Sequence, residues 1–78
     1  MTETLTRRLQ LELDDATSRR AALQRAVAVL RTIPDVSVLD AIGHNRRLRI
    51  AIRLVPQRYR VILERLRTES WCRGCMLM

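Results

Sequence analysis

Two cysteines three positions apart lie in the segment Trp71-Cys72-Arg73-Gly74-Cys75. Such a pair does redox chemistry when the first thiol lies at a helix N-terminus, but only three residues follow Cys75, too few for that helix. In a β-strand, residues three apart point to opposite faces, so the two thiols would not share a metal ion. In a turn they would supply half of a zinc site, which a symmetric dimer could complete. We favour apolar packing in a terminal strand over these alternatives.

No other combination of residue types indicates catalysis. His44, the only histidine, lies in a predicted turn, and no nucleophile and carboxylate accompany it at a recognisable spacing. A glycine-rich phosphate loop is not expected, because Gly43 and Gly74 are the only glycines. We therefore predict a non-enzymatic protein that has no cofactor and no metal site.

The segment RLRIAIRL, residues 47–54, shows the clearest pattern in the chain. A β-strand has a side-chain period of two, so the apolar residues would share one face of this strand. The opposite face would carry Arg47, Arg49 and Arg53. The element that positions this basic row is therefore a strand with one face in the core.

The positive charge is concentrated in the second half of the chain. The net charge is +7, every basic residue is arginine, and residues 41–78 carry the whole excess. This asymmetry indicates an acidic partner for the second half, although arginine also serves as an ordinary solubilising residue. Arginine interrupts every apolar run, and the first residues, MTETLTRRLQ, lack the apolar core of a signal peptide. We expect a soluble cytoplasmic protein without a membrane segment.

The remaining elements follow from periodicity. Residues 6–13 alternate like a strand, although residues 5–33 also fit one long helix. Residues 17–32 form an amphipathic pattern that ends at Pro34. Residues 36–54 read as a β-hairpin, Pro56 can open a second helix, and residues 71–78 are apolar enough for a last strand. The order predicts a single α+β domain over residues 1–78, with a ferredoxin-like βαββαβ fold in which two helices cover one face of a four-stranded antiparallel sheet.

In this fold the basic row lies on the sheet face that the helices leave open. By strand parity, Leu39 and Ala41 would share this face with Arg47, Arg49 and Arg53. Mixed leucine, alanine and arginine is typical of a subunit or partner interface. The alternative is a nucleic-acid-binding face, but aromatic residues are 3% of the chain and a base-stacking platform is missing.

The layout of the chain resembles the ACT-type regulatory domains. The stretch LQLELDDATSRRAALQRAVAVLRTIPDVSVLDAIG has that family's strand, polar turn, helix and second strand, and RLRIAIRLVPQRYRVILERL is similar to its third strand and second helix. The stand-alone small subunits of acetolactate synthase are the most similar in length. The C-terminal modules of feast/famine regulators and of MgtC-type proteins share the outline.

The resemblance implies a homodimeric regulatory domain or small subunit of a larger biosynthetic enzyme. It also implies a small effector, such as an amino acid, bound at the turn between the first strand and the first helix, here Asp15, Ala16, Thr17 and Ser18. The family usually has a glycine in this turn. This chain has none, and Asp14 and Asp15 would repel an effector carboxylate.

Overall fold

The computed structural model describes residues 3–78, which form one four-stranded sheet and two α-helices. The α+β ferredoxin-like βαββαβ prediction is confirmed, and the long helix over residues 5–33 is not formed. The elements in chain order are β1 Leu5–Leu13, α1 Arg19–Arg31, β2 Val36–His44, β3 Arg47–Leu54, a 3₁₀ turn Pro56–Arg58, α2 Tyr59–Arg67 and β4 Cys72–Leu77.

The strand order is β2-β3-β1-β4, and all neighbouring strands are antiparallel. The β1 and β3 strands are therefore central, while β2 and β4 form the two edges. Each helix crosses between two strands that run parallel but are separated by a third, and both helices pack on the same sheet face.

The core lies between this face and the helices. Alternate residues of the central strands are fully buried, with Leu9 and Leu11 from β1 and Ile50 and Ile52 from β3. Helix α1 contributes Ala22, Ala26 and Leu30, and α2 contributes Ile62 and Leu66. Strand residues at a spacing of two and helix residues at a spacing of about four thus form one apolar layer between the sheet and the helices.

The start and end of α1 have clear local causes. Ser18 is the N-cap, and its hydroxyl oxygen accepts a hydrogen bond from the Ala21 amide at 3.1 Å. After the C-cap at Thr32, Pro34 prevents continuation and Asp35 takes a positive φ of 64°. These features fix both ends of α1.

A β-bulge in β2 corrects one sequence prediction. Val38 pairs with Ile52 and Asp40 pairs with Ala51, so Leu39 is an additional residue in the strand. The alternation reverses after the bulge. Ala41 consequently pairs with Ile50 and packs against the core, so the prediction that it lies on the open face is wrong. Leu39 itself remains 48% exposed.

A second irregularity corrects the prediction for the cysteines. Cys72 pairs with Leu13, Gly74 with Glu12 and Cys75 with Leu11, so Arg73 is the additional residue in β4. Because Leu11 and Leu13 share the helix-covered face, Cys72 and Cys75 both lie on that face rather than on opposite faces. Both are half-buried free thiols.

Candidate interaction surface

The open face is the sheet face opposite the helices, and it is formed by four rows of residues that run across the strands. We define it by the paired positions that alternate with the core residues, together with the bulged Leu39: Thr6, Arg8, Gln10, Glu12, Ser37, Leu39, Asp40, Ile42, His44, Arg47, Arg49, Ala51, Arg53, Gly74 and Met76.

The predicted basic row is present on this face. Arg47, Arg49 and Arg53 are all exposed, and they alternate with the buried residues of β3. Arg47 lies between Glu12 on β1 and His44 on β2. Glu12 therefore lies beside one of these arginines, whereas no carboxylate lies directly opposite the other two.

Arg8 extends this basic row onto the neighbouring strand. It pairs with Ala51, so its diagonal neighbours across the sheet are Arg49 and Arg53. Diagonal neighbours lie about 7–8 Å apart, within reach of long side chains. No guanidinium of the open face has a carboxylate within 4 Å in the part of the chain described here. The two central strands thus carry a continuous band of arginines without close ion-pair partners.

One carboxylate near the band is engaged by the backbone. Asp40 also pairs with Ala51, from the β2 side, which places it diagonal to Arg49 and Arg53. Its Oδ1 accepts a hydrogen bond from the Ala41 amide at 2.9 Å within the bulge. Asp40 reduces the local positive charge, but four arginines still face two carboxylates on the open face.

Large apolar side chains occupy the margins of the open face. Ile42 and Leu39 on edge strand β2 are 58% and 48% exposed, and Met76 on edge strand β4 is 54% exposed. Met78, whose backbone forms hydrogen bonds with the backbone of Arg8, is 52% exposed. The surface therefore has a basic centre with apolar strips on both sides, whereas an average protein interface has an apolar centre and a polar rim.

A cavity of about 800 Å³ lies at one end of the open face, where the loop before α1, the β2–β3 turn and the β4 bulge meet. Arg46 holds two of these segments together, since its Nη1 donates to the carbonyl oxygens of Asp14 and Thr17, both at 2.9 Å. The lining includes the following residues: Glu12, Asp15, Ile42, His44, Arg47, Arg49 and Arg73. His44 was predicted to lie in the turn. It instead lies at the end of β2, where it lines this cavity.

Sequence reasoning did not identify Arg46 or Arg73 as parts of this site. Arg46 lies in the turn, where an arginine is ordinarily a solvated residue, and Arg73 reaches the cavity because it is the bulged residue. Arg73 Nη1 lies 3.9 Å from Asp15 Oδ2, and both side chains are largely exposed. In the sequence of β4, only Gly74 indicates a bulge.

The turn predicted to bind an effector forms hydrogen bonds within itself and with the first turn of α1. Asp14 Oδ1 accepts a hydrogen bond from the Thr17 amide at 2.9 Å, and this bond is the main reason that the pKa of Asp14 lies below its ordinary value. The Ser18 hydroxyl oxygen and carbonyl oxygen accept from the Ala21 and Ala22 amides. Asp15, Ala16, Thr17 and Ser18 thus form a turn in which the amides of Thr17, Ala21 and Ala22 already have partners.

No protein-family model, no curated protein and no solved structure matches this chain. Within residues 3–78, no helix is long and apolar enough to cross a membrane. The same residues contain no cluster of three or more histidine, cysteine, aspartate or glutamate side chains suited to a metal ion.

Proposed function

We propose that this chain is a non-catalytic, ACT-like regulatory domain that docks an acidic partner protein through its open face. The observation that carries the proposal is the band formed by Arg8, Arg47, Arg49 and Arg53, which lies exposed between apolar strips. Arginine and methionine are both enriched at protein interfaces, and a guanidinium can pair bidentately with a carboxylate while covering apolar neighbours. A complementary partner surface has a row of acidic side chains with apolar side chains on both sides of it.

A larger enzyme or regulator is the partner that the ACT-like layout supports, with this chain as its small subunit. A second copy of this chain does not fit the open face, because the two arginine bands would meet each other. A homodimer is better accommodated at an edge strand, β2 or β4, where backbone groups are unpaired within the monomer. Such pairing would leave the open face available to the larger partner.

Nucleic acid is the second candidate because an exposed arginine band also binds phosphates. The open face has no phenylalanine, tyrosine or tryptophan for base stacking, since Trp71 is 5% exposed in the core and Tyr59 lies on α2. Binding to nucleic acid would therefore depend on phosphate contacts, and it would weaken steeply as the salt concentration rises.

The test uses a double charge reversal, Arg49→Glu with Arg53→Glu, in the full-length chain. The parent should retain its partner protein from a nuclease-treated lysate, and the double variant should lose it. The matched control is Arg20→Glu with Arg60→Glu, which makes the same charge change on exposed helical positions and should bind like the parent. Retention of the same partner by the double variant would remove the open face from the proposal.

Oligonucleotide titration separates the two candidates. We expect only weak binding of labelled RNA or DNA oligomers by the parent at about 50 mM salt and none at about 200 mM salt. Tight binding with a steep salt dependence, lost in the Arg49→Glu, Arg53→Glu variant, would favour the nucleic-acid function instead. Circular dichroism should confirm that both variants remain folded, because neither removes a core residue.

A further inference from the structure

The bulge in edge strand β4 places two thiols side by side. Cys75 pairs with Leu11 and Cys72 pairs with Leu13, so the two cysteines occupy neighbouring positions on the helix-covered face. Leu11 and Leu13, which lie opposite the two cysteines, are two positions apart on a strand and therefore separated by about 6.4–6.8 Å. This separation is at the upper end of the Cα–Cα range of disulfides, about 4.4–6.8 Å.

The thiols have no strong partners that would hold them apart. Cys72 Sγ donates weakly to the Gly74 carbonyl oxygen at 3.4 Å, and Cys75 Sγ donates to the Leu63 carbonyl oxygen at 3.8 Å. Burial, followed by the neighbouring Cys75 thiol, raises the pKa of Cys72 to about 11. The two cysteines thus lie on one face of β4, and only weak hydrogen bonds hold their sulfur atoms in place.

We propose that Cys72 and Cys75 form a reversible intramolecular disulfide, with a small-molecule disulfide as the oxidant. One cysteine thiolate attacks the small disulfide, forms a mixed disulfide and releases one small thiol. The second cysteine then displaces the other small thiol and closes the Sγ–Sγ bond. The two cysteines lose two protons and two electrons, and the oxidant gains both as two free thiols. Since β4 is paired on one side only, its backbone can move enough to bring the two cysteines within bonding distance.

The disulfide would enclose Arg73, the bulged residue between the two cysteines. Arg73 lines the 800 Å³ cavity and lies 3.9 Å from Asp15. Oxidation would therefore fix the backbone that carries one basic group of the cavity rim. Because the cysteines lie on the helix-covered face, this inference does not depend on the open face binding any partner.

The experiment equilibrates the reduced full-length chain with graded ratios of oxidised to reduced glutathione, followed by acid quenching and mass spectrometry. We expect a product lighter by two hydrogen atoms. The fold should favour it by about tenfold over the same chain unfolded in urea, which corresponds to about 30 mV. The proposal would be overturned if the ratio of disulfide to dithiol were equal in the folded and unfolded chains. It would also be overturned if glutathione adducts were the main products of the folded chain.

The variants Cys72→Ser and Cys75→Ser are the matched controls, and each should form only a glutathione adduct. The oxidised parent should also melt at a higher temperature than the reduced parent, because a bond that the fold favours must in turn stabilise the fold. A lower melting temperature for the oxidised parent would contradict the proposed geometry independently of the mass measurement.

Discussion

At the scale of single residues, the structure assigns different roles to groups of the same chemical type. Arg46 is partly buried and joins two loops through backbone carbonyl oxygens, whereas Arg49 and Arg53 are exposed and lack close carboxylates. Asp14 orders its own turn, while Asp15 lies exposed at the cavity. Residue type therefore indicates which chemistry is available, and the neighbours in the fold decide whether it is used internally or left for a partner.

The thiol of Cys72 should make stability depend on pH under reducing conditions. Its pKa is about 11 in the folded chain, against an ordinary value of 9.0, so the unfolded chain loses this proton first as the pH rises. The resulting stabilisation is present below pH 9 and is lost between about pH 9 and pH 11. We expect the free energy of unfolding to decrease over this interval by more in the parent than in Cys72→Ser.

Fluorescence of Trp71, the only tryptophan, can follow urea unfolding at each pH because this side chain is 5% exposed in the fold. The difference between parent and Cys72→Ser removes the contributions of the ionisable groups that the two proteins share. Identical pH profiles for the two proteins would show that Cys72 ionises alike in the folded and unfolded chains.

At the scale of elements, regular segments were predictable and bulges were not. The alternation in RLRIAIRL identified every core-facing residue of β3, and the helix predicted over residues 17–32 lies within two residues of α1 at each end. In β2 the same parity argument failed beyond Leu39, since a β-bulge depends on the pairing with the neighbouring strand, and here it turns Ala41 rather than the larger Ile42 toward the core. The cysteines were assigned to the wrong faces for the same reason. Local patterns indicate the period, whereas the register depends on contacts that are distant in sequence.

Deletion of Leu39 tests the bulge in β2 directly. Without this residue Val38 and Asp40 become neighbours, and they already pair with the adjacent positions Ile52 and Ala51. We expect the deletion variant to fold with its hairpin register intact, because all other side chains keep their faces. Backbone amide NMR spectra and thermal unfolding can measure this outcome.

Deletion of Ala41 is the matched control, because it removes a regularly paired residue of the same strand. The pairing beyond it is then kept only if Leu39 pairs with Ala51 and Asp40 takes the core-facing position opposite Ile50, so this variant should be clearly less stable. If the two deletions are equally destabilising, Leu39 is not an additional residue in the strand.

At the scale of the whole molecule, the helices and the open face divide the protein into two surfaces of different character. Both helices cover one side of the sheet and supply the core, while the other side keeps its arginine band without a cover. The net charge of +7 is thus not evenly distributed, because part of it is aligned on two adjacent strands. Repulsion within this band is a cost in stability that a partner with complementary charge would remove.

This cost should be measurable in the isolated chain as a dependence of stability on salt. The melting temperature of the parent should rise when NaCl is increased from about 10 mM to about 150 mM, since the Debye length falls from about 30 Å to about 8 Å. The variant Arg49→Gln with Arg53→Gln should melt higher than the parent at low salt and show a weaker salt dependence. Glutamine preserves a long polar side chain, so the change tests charge rather than packing.

The control for this last prediction is Arg20→Gln with Arg60→Gln, which removes the same net charge from exposed helical positions. If repulsion depends only on the total charge, the two variants will respond to salt alike. If the open-face band is the main source of the repulsion, the melting temperature will depend less on salt only in the Arg49→Gln, Arg53→Gln variant. The reason is that Arg8 lies diagonal to both substituted positions. The second result would show that the fold holds these arginines together at a measurable cost, which is expected of a surface that binds an acidic partner.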